Sequence, residues 1–257
     1  MKIKILTLFT EMFDGFQTNS IMKRALGKGV AEIEVINIRD YTTNKYGRTD
    51  TPPIGGGAGL IEQCQPIVDA MRANSTEATH KILMSPRGVT YDEKKAKEYA
   101  KLDELMIICG HYEGIDERVN SYVDELVSIG DYVLTGGEIP AMAIADSVIR
   151  LLDGAITAES LEDESFNDSA LEYPQYTEPY EYEGQTVPDI LYSGNHEAIA
   201  KWRRKQSLLL TRKHRPDLFA KLELSKQDKK LLAEAESGET PKWEKDALEK
   251  GHKFIKK

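Results

Sequence analysis

The chain has 257 residues and only two cysteines, Cys64 and Cys109. Two thiols build no disulfide framework, and a reducing cytoplasm is the expected compartment. Cys109 reads as a small core residue. Long apolar runs are also missing. The run from Ile5 to Phe9 is cut off by Glu11 and Asp14, too short for a signal peptide or a membrane span, so no membrane partner is expected. No G-x-G-x-x-G opens a helix and no G-x-x-x-x-G-K-[ST] occurs, which removes the usual support for a dinucleotide fold or a phosphate-cradling loop. Ile54 to Leu60, IGGGAGL, is rich in glycine but has no lysine after it. H-E-x-x-H, C-x-x-C and G-x-S-x-G are absent, and the five histidines at 80, 111, 196, 214 and 252 are scattered. No metal site is expected from that spacing, and nothing in the sequence indicates magnesium.

What the chain does have is a strand exit of one kind, three times over. Leu105 to Cys109 is a continuous apolar run, the pattern of a strand covered on both faces, and it breaks at Gly110 into GHYEGIDER. Ile82, Leu83 and Met84 run into Ser85, Pro86, Arg87 and Gly88. Tyr132, Val133 and Leu134 read as a third strand, ending in Thr135, Gly136 and Gly137. In a parallel sheet the ligand crevice lies outside the carboxyl ends of the strands, so these exits are expected to converge on one pocket. Taken singly, each glycine is as readily an ordinary turn residue.

Charge is segregated along the chain. The net charge of −9 argues against a polyanionic partner as a whole. Between Arg150 and Lys201 there is no lysine or arginine, while acidic residues run from Asp153 to Glu197. From Lys201 to Lys226 nine cations (Lys201, Arg203, Arg204, Lys205, Arg212, Lys213, Arg215, Lys221, Lys226) face only Asp217 and Glu223. An isolated basic run is usually a solvated helix face. Trp202 within this one, with His214 nearby, favours RNA, since aromatics beside cations stack on bases. Neutralising about six phosphates would make affinity fall steeply with salt.

The rhythm of the first 158 residues predicts an α/β fold, a mostly parallel sheet with helices on both faces. Strands are expected at Ile3–Phe9, Ile33–Ile38, Lys81–Met84, Leu105–Cys109 and Tyr132–Leu134, and helices from Ser20, from Gln65, over Asp92–Lys101 and over Ala141–Leu152. Residues 159–196, acidic and holding Pro174, Pro179 and Pro188, read as a flexible linker. Residues 197–257 show helical spacing over Glu197–Leu210, Ser225–Glu236 and Lys242–Lys250, a small helical domain.

GHYEGIDER followed by IGDYVLTGGEIPA, with PIGGGAGL upstream and SGNHEAIAKWR downstream, resembles the bacterial tRNA (guanine-N1)-methyltransferase family, TrmD, of the SPOUT class. The resemblance runs from IKILTLFTEMF to the RKHRPDL segment near Arg215. It implies a deep trefoil knot around the strand exits, which nothing in composition or spacing indicates. It also implies methyl transfer from S-adenosylmethionine to N1 of guanosine at tRNA position 37, next to the anticodon, by a cytoplasmic homodimer whose partners are tRNA and no DNA. N1 carries a proton in neutral guanine, so such an enzyme needs a general base, and a sulfonium donor needs no metal to activate it.

Carried over by position, the resemblance assigns the cofactor to Met84, Ser85, Pro86, Gly110, Tyr112, Glu113, Ile129, Gly130, Asp131, Tyr132, Val133, Leu134, Gly136, Gly137 and Pro140. As strand residues, Tyr132 and Leu134 are also expected to pack in the core. Arg150 takes the charge-stabilising position; the plainer reading is an ion pair with Asp146 four residues earlier. The general base is expected at Glu164, immediately before Ser165 and Phe166 where family members commonly place an aspartate, with Asp163 as second choice and Asp168 as third. Substrate contacts are expected at Asp50 and the Gly55, Gly56, Gly57 and Gly59 loop, and on the tRNA side at Arg203, Lys205, Ser207, Arg212 and Arg215. Ile54 stands where a tyrosine often precedes the triple glycine. Two other readings compete: a SPOUT methyltransferase for another RNA nucleotide, and a non-catalytic RNA-binding relative.

Overall fold

Alternation along five short apolar strands builds the centre of the fold. Successive side chains on a strand point to opposite faces, so Ile3, Ile5, Leu105 and Ile107 enter one buried cluster while Leu6, Met106 and Ile108 enter another. The computed structural model describes residues 1–157, 165–166 and 170–251. Its main strands are β1 (Lys2–Thr7), β2 (Glu32–Asn37), β5 (Thr79–Thr90), β6 (Glu104–Ile108) and β7 (Glu125–Ser128), in the order β2-β1-β6-β5-β7. Every neighbouring pair is parallel. Two short strands, β3 (Asp50–Thr51) and β4 (Ile61–Glu62), pair separately as an antiparallel ribbon.

Helices cover both faces. On the first, α2 (Ser20–Gly27), α4 (Glu93–Tyr99) and α5 (Glu138–Ile149) bury Met22, Ala25, Tyr99, Ala141, Ile144, Ala145, Val148 and Ile149 against the sheet. On the other, α3 (Cys64–Asn74) buries Ile67, Val68, Ala70 and Met71. A short helix, α1 (Asp14–Thr18), precedes α2. The expected strand at Tyr132–Leu134 is not there. The fifth strand is β7, seven residues earlier at its start, and Tyr132 to Leu134 form a loop in which Val133 is 85% exposed. Core packing of Tyr132 and Leu134 is therefore also corrected: their apolar character faces an open cavity instead of a neighbouring layer.

The chain divides into two compact units, residues 1–158 and 159–257. In the second, α6 (His196–His214), α7 (Pro216–Phe219), α8 (Lys226–Ser237) and α9 (Lys242–Gly251) follow one another. Asn195 caps α6 by accepting the Ala198 N–H at 3.1 Å, and Ser225 and Asp228 form a reciprocal capping box at the start of α8. The described part of the segment expected as a flexible linker is packed. It forms a hairpin of β8 (Glu181–Tyr182) and β9 (Gln185–Thr186), then a 3-10 helix, Asp189–Tyr192, whose Ile190 joins Ala198, Trp202 and Ala247 in a buried cluster. Its acidic composition suggested disorder, but the apolar residues Ala170, Val187 and Ile190 are buried and anchor it.

Candidate active site

Because β5, β6 and β7 are parallel neighbours, their carboxyl ends open on one edge of the sheet. β5 is interrupted there: its register with β7 shifts between Met84 and Val89, throwing Ser85 to Gly88 out as a bulge. β6 leaves through Gly110 to Gly114, and β7 through Ile129 to Gly137. The three exits enclose one cavity of about 370 Å³. Of the residues assigned to the cofactor, Met84, Ser85, Pro86, Gly110, Tyr112, Glu113, Ile129, Gly130, Tyr132, Val133, Leu134, Gly136, Gly137 and Pro140 line it; Asp131 does not. Its remaining lining includes Arg87, His111, Asn120, Ser128 and Thr135.

Backbone contacts hold the exits together. The Gly137 N–H donates to the Gly110 carbonyl at 2.8 Å, and His111 pairs with Gly136 in an antiparallel bridge. Approach is so close that a Cβ on Gly137 would lie 2.7 Å from the Cα of Cys109, and one on Gly136 would lie 2.4 Å from His111 Nδ1. The Ser128 hydroxyl donates to the Gly130 carbonyl at 3.0 Å and accepts the Gly130 N–H at 3.2 Å, closing the turn after β7. At the cavity rim Arg87 is paired with Glu117 at 2.7 Å.

Beneath the lining lie side chains that the motifs did not single out. Glu62, on β4, is 1% exposed and accepts the backbone N–H of His111 at 2.7 Å through Oε1, while its Oε2 has no partner. Burial pushes its carboxyl up to about 8, helped by Glu138 and Asp50 and opposed by the His111 N–H and Arg39. Glu138, the first residue of α5, is equally buried and accepts the Thr7 hydroxyl at 2.8 Å. Its Oε2 lies 3.6 Å from Nδ1 of His111. Cys109 is fully buried, and its thiol is pushed up by burial and then by the charges of Glu138 and Glu62. Sequence reasoning passed over His111 although it sits inside GHYEG, and nothing in the alternation around Glu62 signals a buried acid. The one usable sign was Glu138, an acid followed by seven apolar residues, Ile139 to Ala145.

Asp50, the glycines of the 55–59 loop and Arg150 do not line this cavity. Asp50 sits on β3 opposite Glu62. Gly55, Gly56, Gly57 and Gly59 all take positive φ in an exposed loop with Ile54 fully exposed. Gly59 packs on the Glu113 side chain, which a Cβ there would meet at 2.4 Å, so the loop abuts one lining residue. Arg150 follows α5 directly and its N–H donates to the Asp146 carbonyl at 3.0 Å. α5 starts at the cavity and runs twelve residues, so Arg150 stands roughly 18 Å along the helix from it. Glu164, Asp163 and Asp168 lie outside the described residues.

In the second unit the basic run is less basic than its composition. Lys201 pairs with Glu197 at 2.6 Å, Arg204 with Asp228 at 2.8 Å, Lys205 with Glu244 at 2.7 Å, Arg212 with Glu236 at 2.6 Å and Arg215 with Asp217 at 2.7 Å. The partners come largely from α8 and α9, beyond the window in which charge was counted. Lys205 and Ser207 are buried, Ser207 donating to the Leu171 carbonyl at 2.6 Å. Trp202 is 5% exposed in the unit's core and presents no face for base stacking. Among the described residues Arg203, Lys213, Lys221 and Lys226 form no ion pair, and the Arg203 guanidinium lies over the Tyr173 ring at 4.6 Å.

Among the described residues no cluster of three or more His, Cys, Asp or Glu side chains could hold a metal ion, and no helix is long and apolar enough to cross a membrane. Residues 1–221 match the profile of the family described as tRNA (Guanine-1)-methyltransferase TrmD. A tRNA (guanine-N(1)-)-methyltransferase of Clostridium perfringens strain 13 is 54% identical over 234 residues, covering 90% of this chain and 99% of its own length. One from Clostridium botulinum strain 657 is 51% identical over 234 residues, covering 90% and 97%.

Proposed function

The chain belongs to the tRNA (guanine-1)-methyltransferase family, and we propose that it moves a methyl group from S-adenosylmethionine to N1 of the guanosine at tRNA position 37, in the cytoplasm, as a homodimer. Convergence of three strand exits on one cavity carries the reading. A cavity of about 370 Å³ falls within the range of roughly 300–1,000 Å³ that such ligands fill. Its glycines bring backbone N–H and C=O groups to the wall, and its open apolar surfaces, Tyr132, Val133 and Leu134, suit a purine. Met84, Ser85, Pro86, Gly110, Tyr112, Glu113, Ile129, Gly130, Tyr132, Val133, Leu134, Gly136, Gly137 and Pro140 would hold the donor. The knot implied by the family would thread the chain through these same exits.

The donor supplies an electrophilic methyl on a sulfonium. This chain must align guanine N1 with it, take the N1 proton, and stabilise the charge left on the guanine oxygen. Glu164 is our choice of base, with Asp163 and then Asp168 behind it; neighbouring negative charge would raise the pKa of any of them toward the working range. Arg150 would supply fork-shaped donors to the guanine oxygen or a phosphate. Its distance along α5 from the cavity of its own subunit supports a homodimer in which it serves the partner's cavity. Asp50 and the 55–59 loop would meet the nucleoside, and Arg203 with the unpaired lysines the tRNA backbone.

Incubation with labelled S-adenosylmethionine and tRNA transcripts bearing or lacking guanosine at position 37, followed by mass-spectrometric mapping, tests this. Label confined to N1 of that guanosine is expected. Label elsewhere or none on any transcript would overturn the reading.

A further inference from the structure

His111 lines the cavity and touches both buried acids below it. Its ring packs on Phe9, with centroids 4.5 Å apart, and meets the Tyr112 ring edge-on at 5.3 Å. Its backbone N–H donates to Glu62 Oε1 at 2.7 Å. Yet Nδ1 is buried with no hydrogen-bond partner. A buried polar atom left in that state carries a desolvation cost with no return. Oε2 of Glu138 is 3.6 Å away, roughly 0.8 Å beyond a charge-assisted hydrogen bond. Glu138 itself is held in place by Thr7 and by its position at the start of α5. Above them the bridge from His111 to Gly136 joins two strand exits, and Gly136 packs against both Nδ1 and Oε2, so a shift of that wall changes the gap between the two atoms.

We propose that His111 is a positioning residue for the methyl donor: its Nδ1–H closes onto Glu138 Oε2 when the donor fills the cavity, latching the Gly110 exit to the Ile129–Gly137 loop. The inference rests on the methyltransferase reading. A ligand shifts a conformational equilibrium only by its differential affinity for the two states, so the latch and the donor stabilise each other. Losing the latch weakens donor binding and leaves the chemical step at saturation nearly intact, because neither His111 nor Glu138 is needed to take the guanine proton.

The test is titration calorimetry with S-adenosylhomocysteine on the full-length protein, its His111→Leu and His111→Asn variants, together with thermal melts and methylation rates at saturating donor and tRNA. Asparagine places an amide N–H near the Nδ1 position without the ring, so it keeps the latch and loses the packing on Phe9. We expect His111→Leu to weaken binding about tenfold, the loss of one such hydrogen bond. His111→Asn should stay within about threefold of wild type, and kcat within about threefold for both. Wild-type affinity in His111→Leu, equal weakening in His111→Asn, or a fall in kcat at unchanged affinity would each overturn the inference while leaving the methyltransferase reading standing. A wild-type protein that neither binds S-adenosylhomocysteine nor methylates tRNA would sink both.

Discussion

Replacing Glu62 with glutamine should make the protein less sensitive to alkaline pH. The side chain is 1% exposed, and burial raises its carboxyl from an ordinary 4.5 to about 8. Folding therefore holds a proton that the unfolded chain releases across most of the neutral range. Because the folded state binds more protons between those two values, stability falls as pH rises through that window and levels off above about pH 8. Each pH unit well inside the window costs about 1.36 kcal/mol, tapering toward its upper end, so the rise from about pH 6 to pH 8.5 removes roughly 2.5 kcal/mol. Glutamine keeps an acceptor for the His111 N–H and never ionises. Urea melts of both proteins at the two pH values isolate the effect, since every other titrating group is shared. The stability difference between Glu62→Gln and wild type should shift by about 2.5 kcal/mol in favour of the variant at the higher pH. A difference that stays constant would mean Glu62 is ionised throughout, and would refute the reasoning from burial.

Gly137→Ala places a methyl 2.7 Å from the Cα of Cys109, against backbone with nowhere to go; we expect roughly 1–3 kcal/mol of destabilisation in urea melts and donor affinity reduced more than tenfold by calorimetry. Lys205→Met leaves the half-buried Glu244 without its 2.7 Å partner, which should cost about 2 kcal/mol of stability. Arg203→Ala, by contrast, should cost no more than about 1 kcal/mol in the melt, through the lost contact with Tyr173, and lower the salt slope of tRNA binding by about 1 in filter-binding assays. Glu164→Gln should retain tRNA and donor binding and lose turnover by about 10²–10⁴-fold in single-turnover methylation, with normal turnover moving the base to Asp163.

The sequence carried the sheet where burial on both faces wrote itself as an unbroken apolar run, as in Leu105 to Ile108, and the helices where apolar spacing changed period. It misplaced the last strand because Tyr132, Val133 and Leu134 are as apolar as a strand and lie where one was expected, while β7, Glu125–Ser128, opens with an acid. The two segments differ in what covers them, and cover is a property of the assembled fold. That same difference is what makes the site: apolar side chains left largely uncovered at a sheet edge keep surface available to a ligand. The charge count failed for a related reason. Summing over Lys201 to Lys226 treats sequence neighbours as spatial ones, but Asp228, Glu236 and Glu244 return from α8 and α9 to neutralise Arg204, Arg212 and Lys205. Four cations without ion pairs give a salt slope of about −3 to −4 in place of the steeper one that composition implies, so a tRNA affinity with a slope near −6 would show that phosphate displaces those internal carboxylates on binding.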